Sequence, residues 1–186
     1  AYPACTYPTL TVAKTGNGIG LVSATSPTDE DKLNCGLECV KTDQTYSPDS
    51  NVTVTATPTD GAVFTGWSGE CSGDTETTTV TLDQAKTCVA NFEIKDGYYE
   101  LQMSKTGIGK GTVTTSNKND PFHCDAKCQE TRGTYPANTQ VKLRANASKG
   151  SEFTGWGGAC SGTDQQLTLT MDQAKSCYAN FNLKEP

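Results

Sequence analysis

The stretch Phe64-Thr65-Gly66-Trp67-Ser68-Gly69-Glu70-Cys71-Ser72-Gly73 returns as Phe153-Thr154-Gly155-Trp156-Gly157-Gly158-Ala159-Cys160-Ser161-Gly162, displaced by 89 positions. The same displacement carries Cys35, Cys39, Cys71 and Cys88 onto Cys124, Cys128, Cys160 and Cys177. It carries Asp83-Gln84-Ala85-Lys86 onto Asp172-Gln173-Ala174-Lys175, and Ala90-Asn91-Phe92 onto Ala179-Asn180-Phe181. Nearer the start the displacement is 91, matching Lys14-Thr15-Gly16 with Lys105-Thr106-Gly107. The loop around Asp29-Glu30-Asp31 is therefore two residues longer in the first copy. A long internal period of this kind means one small unit made twice. The expected organisation is an extended tail at 1–8, a repeat domain at 9–93, a linker at 94–99 and a second repeat domain at 100–184.

Each unit reads as strands. Val52, Val54 and Ala56 alternate with threonine and map onto Val141, Leu143 and Ala145, the period of a strand with one buried face. Leu10 and Val12 match Leu101 and Met103 and open each copy with another strand. Val80 and Leu82 predict a short strand, Asp83 to Lys86 a turn, and Cys88, Ala90 and Phe92 the last strand. Gly16, Gly18 and Gly20, echoed by Gly107, Gly109 and Gly111, predict a tight hairpin. A phosphate cradle would need a helix behind the glycines, and no helical pattern follows them. The composition agrees, with 30 Thr, 18 Gly and 8 Pro among 186 residues. β-branched side chains suit a pleated surface, and Gly and Pro mark turns. The predicted class is all-β: two tandem small domains.

Charge and composition exclude several functions. Fifteen basic against 21 acidic residues give a net charge of −6, which disfavours nucleic acid as a partner. No apolar stretch approaches the roughly 20 residues that cross a bilayer as a helix, so the chain is not expected to span a membrane. A single histidine, His123, cannot furnish a His-ligated catalytic zinc site, and no G-x-S-x-G elbow or P-loop occurs. The chain is expected not to be an enzyme, and no cofactor is expected.

Nine cysteines and no initiating methionine predict a processed, exported protein in an oxidising compartment. Four cysteines per copy permit three connectivities, among which sequence does not choose. The pairing preferred is the local one, Cys35 with Cys39 and Cys71 with Cys88, repeated in Cys124, Cys128, Cys160 and Cys177. A bridge from Cys71 to Cys88 would pin the Gly-Trp-Ser-Gly loop to the last strand. The alternative is zinc held by all four cysteines of a copy, but such sites normally show C-x2-C knuckles and both close pairs here are C-x3-C. His123 has Asn34 as its counterpart, which argues against a ligand role. Cys5 stands outside both copies and leaves an odd count, so it is either an intermolecular link or a free thiol.

The run from Leu10 through the glycine turn, the Cys-x3-Cys pair, the Gly-Trp-x-Gly-x-Cys-Ser-Gly element and the closing Ala-Asn-Phe resembles the divergent bacterial internalin-B-type repeat, a bacterial surface repeat. The resemblance covers 9–93 and again 100–183, about nine-tenths of the chain. It implies a small β-grasp-like domain and a role in extracellular adhesion, spacing or assembly.

Trp67 and Trp156 are the candidate ligand platforms, although their equivalence and their closeness to cysteines favour packing. Tyr46 and Tyr135 match across the copies and read as structural. Tyr98 and Tyr99, placed in the linker, and Tyr2 and Tyr7 in the tail are candidate partner contacts. The Asp29-Glu30-Asp31 loop lacks the spacing of a calcium loop. The sequons at Asn51 and Asn146 are unmatched between the copies and read as chance occurrences. The expected protein is a secreted structural or adhesive subunit, in the extracellular space or at the cell surface. Its expected partner is itself, as a homo-oligomer or fibre joined through the N-terminal tail, or a cell-envelope component. The alternative is a carbohydrate-binding module that stacks polysaccharide on exposed Trp or Tyr faces.

Overall fold

The computed structural model describes residues 6–28, 32–116 and 122–185. The first copy runs through β1 (Thr9–Thr15), β2 (Gly20–Thr25), β3 (Leu33–Cys35), β4 (Lys41–Thr45), β5 (Ser50–Pro58), β6 (Ala62–Gly69), β7 (Thr77–Leu82) and β8 (Lys86–Ile94). The second runs through β9 (Tyr98–Thr106), β10 (Gly111–Thr115), β11 (His123–Cys124), β12 (Glu130–Pro136), β13 (Gln140–Ala147), β14 (Ser151–Gly158), β15 (Gln166–Thr170) and β16 (Lys175–Leu183). Among the described residues there is no helix. The chain divides into two compact units, 1–95 and 96–186.

Each unit holds two four-stranded sheets. In the first, one sheet has the order β4-β1-β8-β6 and the other β3-β2-β5-β7. The second unit repeats this as β12-β9-β16-β14 and β11-β10-β13-β15. The first and last strands of each unit, β1 with β8 and β9 with β16, lie parallel at the centre of their sheet, and their other neighbours are antiparallel. That central parallel pair is the β-grasp arrangement. Where a β-grasp carries a helix over its sheet, each of these domains carries a second sheet.

The alternation seen in sequence explains the packing. Leu10, Val12, Ala90 and Phe92 from the mixed sheet share one buried cluster with Val22, Val52, Val54 and Leu82 from the antiparallel sheet. Leu101, Met103, Ala179 and Phe181 meet Val113, Val141, Leu143 and Met171 in a second cluster. Each Leu, Val, Phe or Met among them stabilises its domain by about 1.5–3 kcal/mol relative to exposure, and each Ala by less.

Two expectations are corrected here. The glycine run does not form a hairpin, because β1 and β2 lie in different sheets. It is a crossover laid against the last strand. Gly16 has φ of 90° and Gly18 donates its N–H to the Phe92 carbonyl at 2.9 Å. A Cβ on Gly18 would stand 2.6 Å from the carbonyl carbon of Glu93, so the close approach requires glycine. Tyr98 and Tyr99 are not linker residues; they open β9, opposite Pro136 and Tyr135. Tyr99 is partly buried against the second core. The connection between the last strand of one copy and the first strand of the next is 95–97.

Candidate functional site

Trp67 lies near the C-terminal end of β6, where Gly66 and Gly69 take φ of 143° and 82° and bend the strand into a loop. The loop folds back over the ring. Trp67 N–H donates to the Gly73 carbonyl at 2.8 Å, and the indole Nε1–H donates to the Thr75 carbonyl at 3.0 Å. Phe64 packs at a ring-centroid distance of 5.2 Å, and Phe92 packs on Phe64 at 5.9 Å. Trp156 repeats the arrangement, with Nε1–H to Asp164 at 2.8 Å and Phe153 at 5.1 Å. Both indoles are only 7% exposed, so neither offers a face to a sugar. The Trp platforms of the carbohydrate-binding alternative are thereby removed.

The cysteines enclose the same loops. Cys71 is bonded to Cys88 and Cys160 to Cys177, with Cα atoms 4.9 and 5.2 Å apart. Cys35 is bonded to Cys39 and Cys124 to Cys128, with Cα separations of 5.1 and 5.2 Å. These eight sulfurs leave no thiolate for zinc. Lys14 ties the Cys35–Cys39 loop to the glycine crossover: its Nζ donates to the carbonyls of Gly36 at 2.6 Å, Gly20 at 2.8 Å and Leu37 at 3.1 Å. Lys105 does the same in the second copy through Gly111 and Asp125. Burial pushes the Lys105 pKa down, and the nearby Asp125 carboxylate partly opposes it. In the second copy the Asp125 carboxylate also accepts the N–H groups of Lys127 at 2.8 Å and Cys128 at 2.9 Å. Those backbone donors, Cys128 foremost, hold its carboxyl below the ordinary aspartate value. Gly36 stands at the equivalent place in the first copy.

The remaining candidates fall as follows. Tyr46 and Tyr135 are buried in the two cores, and Tyr7 is exposed. Tyr2, Cys5 and the Asp29-Glu30-Asp31 loop lie outside the described residues. Among the described residues, no group of three or more His, Cys, Asp or Glu side chains is placed to share a metal ion.

One aromatic was not singled out by the sequence. Tyr178 on β16 is 41% exposed, and its ring lies over Gly157 of β14, whose Cβ would collide with it. Across the sheet the row continues from Tyr178 to Ser104 and Glu130, with Ser176, Gln102 and Arg132 in the adjacent row. Gln102 donates its side-chain N–H to Glu130 at 2.5 Å. In the first copy the positions of Tyr178 and Gly157 hold Val89 and Ser68, paired in the same register, so the sheet does not need the aromatic–glycine pair to form. The only sequence signal was this difference between otherwise matched strands.

The divergent InlB B-repeat domain family matches the chain at residues 38–96 and again at 101–185. No curated protein matches it. Among solved structures, the Bacillus anthracis TIE protein is similar at 10% identity and a TM-score of 0.35, over 95% of this chain and 34% of that one. The minor pilin GBS52 of Streptococcus agalactiae is similar at 9% identity and a TM-score of 0.34, over 96% of this chain and 97% of that one. The shaft pilin spaA of Lactobacillus rhamnosus GG is similar at 11% identity and a TM-score of 0.33, over 96% and 99%. The chain spans about a third of the length of the TIE protein. At such TM-scores these likenesses carry no argument about function.

Proposed function

The chain belongs to the divergent InlB B-repeat family, and on that premise we propose that it is a non-enzymatic structural or adhesive protein that works outside the cell or at the cell surface. The observation that carries this reading is the serial duplication of one bridged block, each with its own buried cluster and two disulfides. Disulfides of this kind persist in oxidising compartments and suit small domains with limited cores. Blocks of this sort serve as spacers or subunits, and the partner is another copy or a component of the cell envelope. In the finer reading the chain self-assembles into a fibre, with the N-terminal segment 1–8 reaching a neighbour and Cys5 locking the joint. A heterologous contact that does not close builds such a fibre. Electron microscopy of native material tests it, with non-reducing gels of Cys5→Ser and of a chain lacking residues 1–8. Filaments and Cys5-dependent oligomers support the reading. A native protein that stays monomeric at high concentration, with Cys5 freely alkylated, overturns it.

Tyr178 favours a second reading, a polysaccharide-binding face on the second domain. An aromatic ring held flat by Gly157 leaves its outer side for the apolar face of a pyranose, with Gln102, Glu130 and Ser104 nearby for hydroxyl groups. Pull-down on insoluble polysaccharides tests it. Saturable binding lost in Tyr178→Ala but kept in Trp67→Phe supports this reading, and equal retention of wild type and Tyr178→Ala overturns it.

A further inference from the structure

Asn17-Gly18 is the one Asn-Gly pair in the chain, and every other asparagine precedes a larger residue. Asparagine is thermolabile, and most so before glycine, whose backbone nitrogen is not screened by a side chain. That nitrogen attacks the side-chain amide carbon. The bond from Gly18 N to Asn17 Cγ forms and the Cγ–Nδ2 bond breaks. The amide nitrogen leaves as ammonia, carrying the proton that Gly18 gives up. Water then opens the five-membered imide at one carbonyl or the other, leaving aspartate or isoaspartate. Water is the only co-reactant.

The fold ties both reacting groups to β8. Gly18 donates its N–H to the Phe92 carbonyl at 2.9 Å, and the Asn17 side-chain oxygen accepts the Ile94 N–H at 3.0 Å. Gly18 is buried, with the Glu93 backbone so close that a Cβ would stand 2.6 Å from its carbonyl carbon. The nitrogen attacks only after losing its proton, and that proton is held in the bond to Phe92, away from water. The amide carbon reaches the Gly18 nitrogen only if the Asn17 side chain lets go of Ile94. Gly16, at φ of 90°, and Gly20, against the Phe92 ring, fix the crossover on either side. Backbone groups held in this way become available through local opening.

We propose that Asn17 is a site of spontaneous deamidation, shut while the crossover lies on β8 and reactive when it lifts, and that its isoaspartyl product cannot close again. Isoaspartate routes the main chain through the former side chain and adds one carbon between residues 17 and 18. The packing of Gly18 on Glu93 leaves no room for it. Aspartate keeps the backbone length, and its carboxylate can accept the Ile94 N–H as the amide does. An opening of the first domain is thereby recorded in its covalent structure. The second domain lacks the site. Ile108 stands in the place of Asn17, while Gly109 donates its N–H to the Phe181 carbonyl at 2.8 Å, so the crossover forms without an asparagine. The site draws only on residues of the first domain and stands whether or not copies of the chain associate.

The full chain, with its disulfides intact, is incubated at one pH and temperature in native buffer and in denaturing guanidinium chloride. Peptide mapping by mass spectrometry follows residue 17 and separates aspartyl from isoaspartyl product. In denaturant residue 17 is expected to convert before every other asparagine, and in native buffer about a hundredfold more slowly. Asn17→Gln should abolish the signal in both. Equal rates in the two conditions overturn the closed site. Conversion of another asparagine ahead of residue 17 in denaturant overturns the site itself. The isoaspartyl chain is then refolded and its thermal melting compared with wild type and Asn17→Asp. The first domain of the isoaspartyl chain is expected to melt lowest, with Asn17→Asp close to wild type. An isoaspartyl chain that melts with wild type overturns the failure to close. An equal loss in Asn17→Asp overturns backbone length as its cause.

Discussion

The indole N–H of Trp67 bonds the carbonyl oxygen of Thr75 at 3.0 Å, and the eight-residue reach between them spans the loop that also contains Cys71. One side chain thus fills the core and fastens the loop above it. Glu70 adds a second fastening, donating its N–H to the Thr87 carbonyl at 2.8 Å while its carboxylate accepts the Thr87 N–H at 2.7 Å.

Replacing Trp67 by Phe keeps a six-membered aromatic ring in the core but removes the pyrrole N–H and leaves the Thr75 carbonyl without its donor. The expected cost is about 1–3 kcal/mol, against about 3–5 kcal/mol for Trp67→Ala, which also opens a cavity. Denaturant unfolding measures both. The same pair of changes at Trp156 should fall on the second domain alone, since each Trp belongs to its own buried cluster.

Lys14→Met retains most of the buried stem and removes the donor to Gly20, Gly36 and Leu37. Stability of the first domain is expected to fall by about 1–3 kcal/mol in thermal unfolding. The Cys35–Cys39 loop should also open more often, so dithiothreitol should reduce that bridge faster than in wild type.

The two bridges of a domain should differ in value. Cys71–Cys88 closes a separation of 17 residues and Cys35–Cys39 one of 4. Loop-closure entropy predicts losses of about 3 and about 2 kcal/mol when each pair becomes serine. Chemical denaturation of the two double variants checks the order.

Asp125 makes the second domain acid-sensitive. Its folded pKa lies below the ordinary 3.8 because the N–H groups of Cys128 and Lys127 favour the carboxylate. The unfolded chain therefore takes up the proton first as pH falls. The stabilisation is complete above the unfolded value and is lost as pH drops through 3.8 toward the folded pKa. Carbon-detected NMR titration should place Asp125 below 3.8, and Asp125→Asn should remove that part of the acid sensitivity. Asp83 should titrate low as well, chiefly through its hydrogen bond from Lys86, 2.7 Å away.

The duplication, the all-β class and the strands around Val52 to Ala56 and Cys88 to Phe92 were legible in the sequence, because cysteine spacing and period-2 alternation are local records of a one-sided strand. The burial of Trp67 and Trp156 was legible too, from their matched positions beside matched cysteines. What alternation does not contain is the identity of the sheet that a strand joins. Leu10 and Val22 each face a core, and only the long-range ladders put β1 beside β8 and β2 beside β5, turning an expected hairpin into a crossover. Tyr98 and Tyr99 lie ahead of the matched Leu10 and Leu101 and so read as linker, yet β12 extends far enough to pair with them. The exposure of Tyr178 was likewise decided by tertiary structure. A residue's exposure and the direction of its backbone groups depend on which strand lies alongside it, and among the described strands only β2 with β3 and β10 with β11 are neighbours both in a sheet and in the chain.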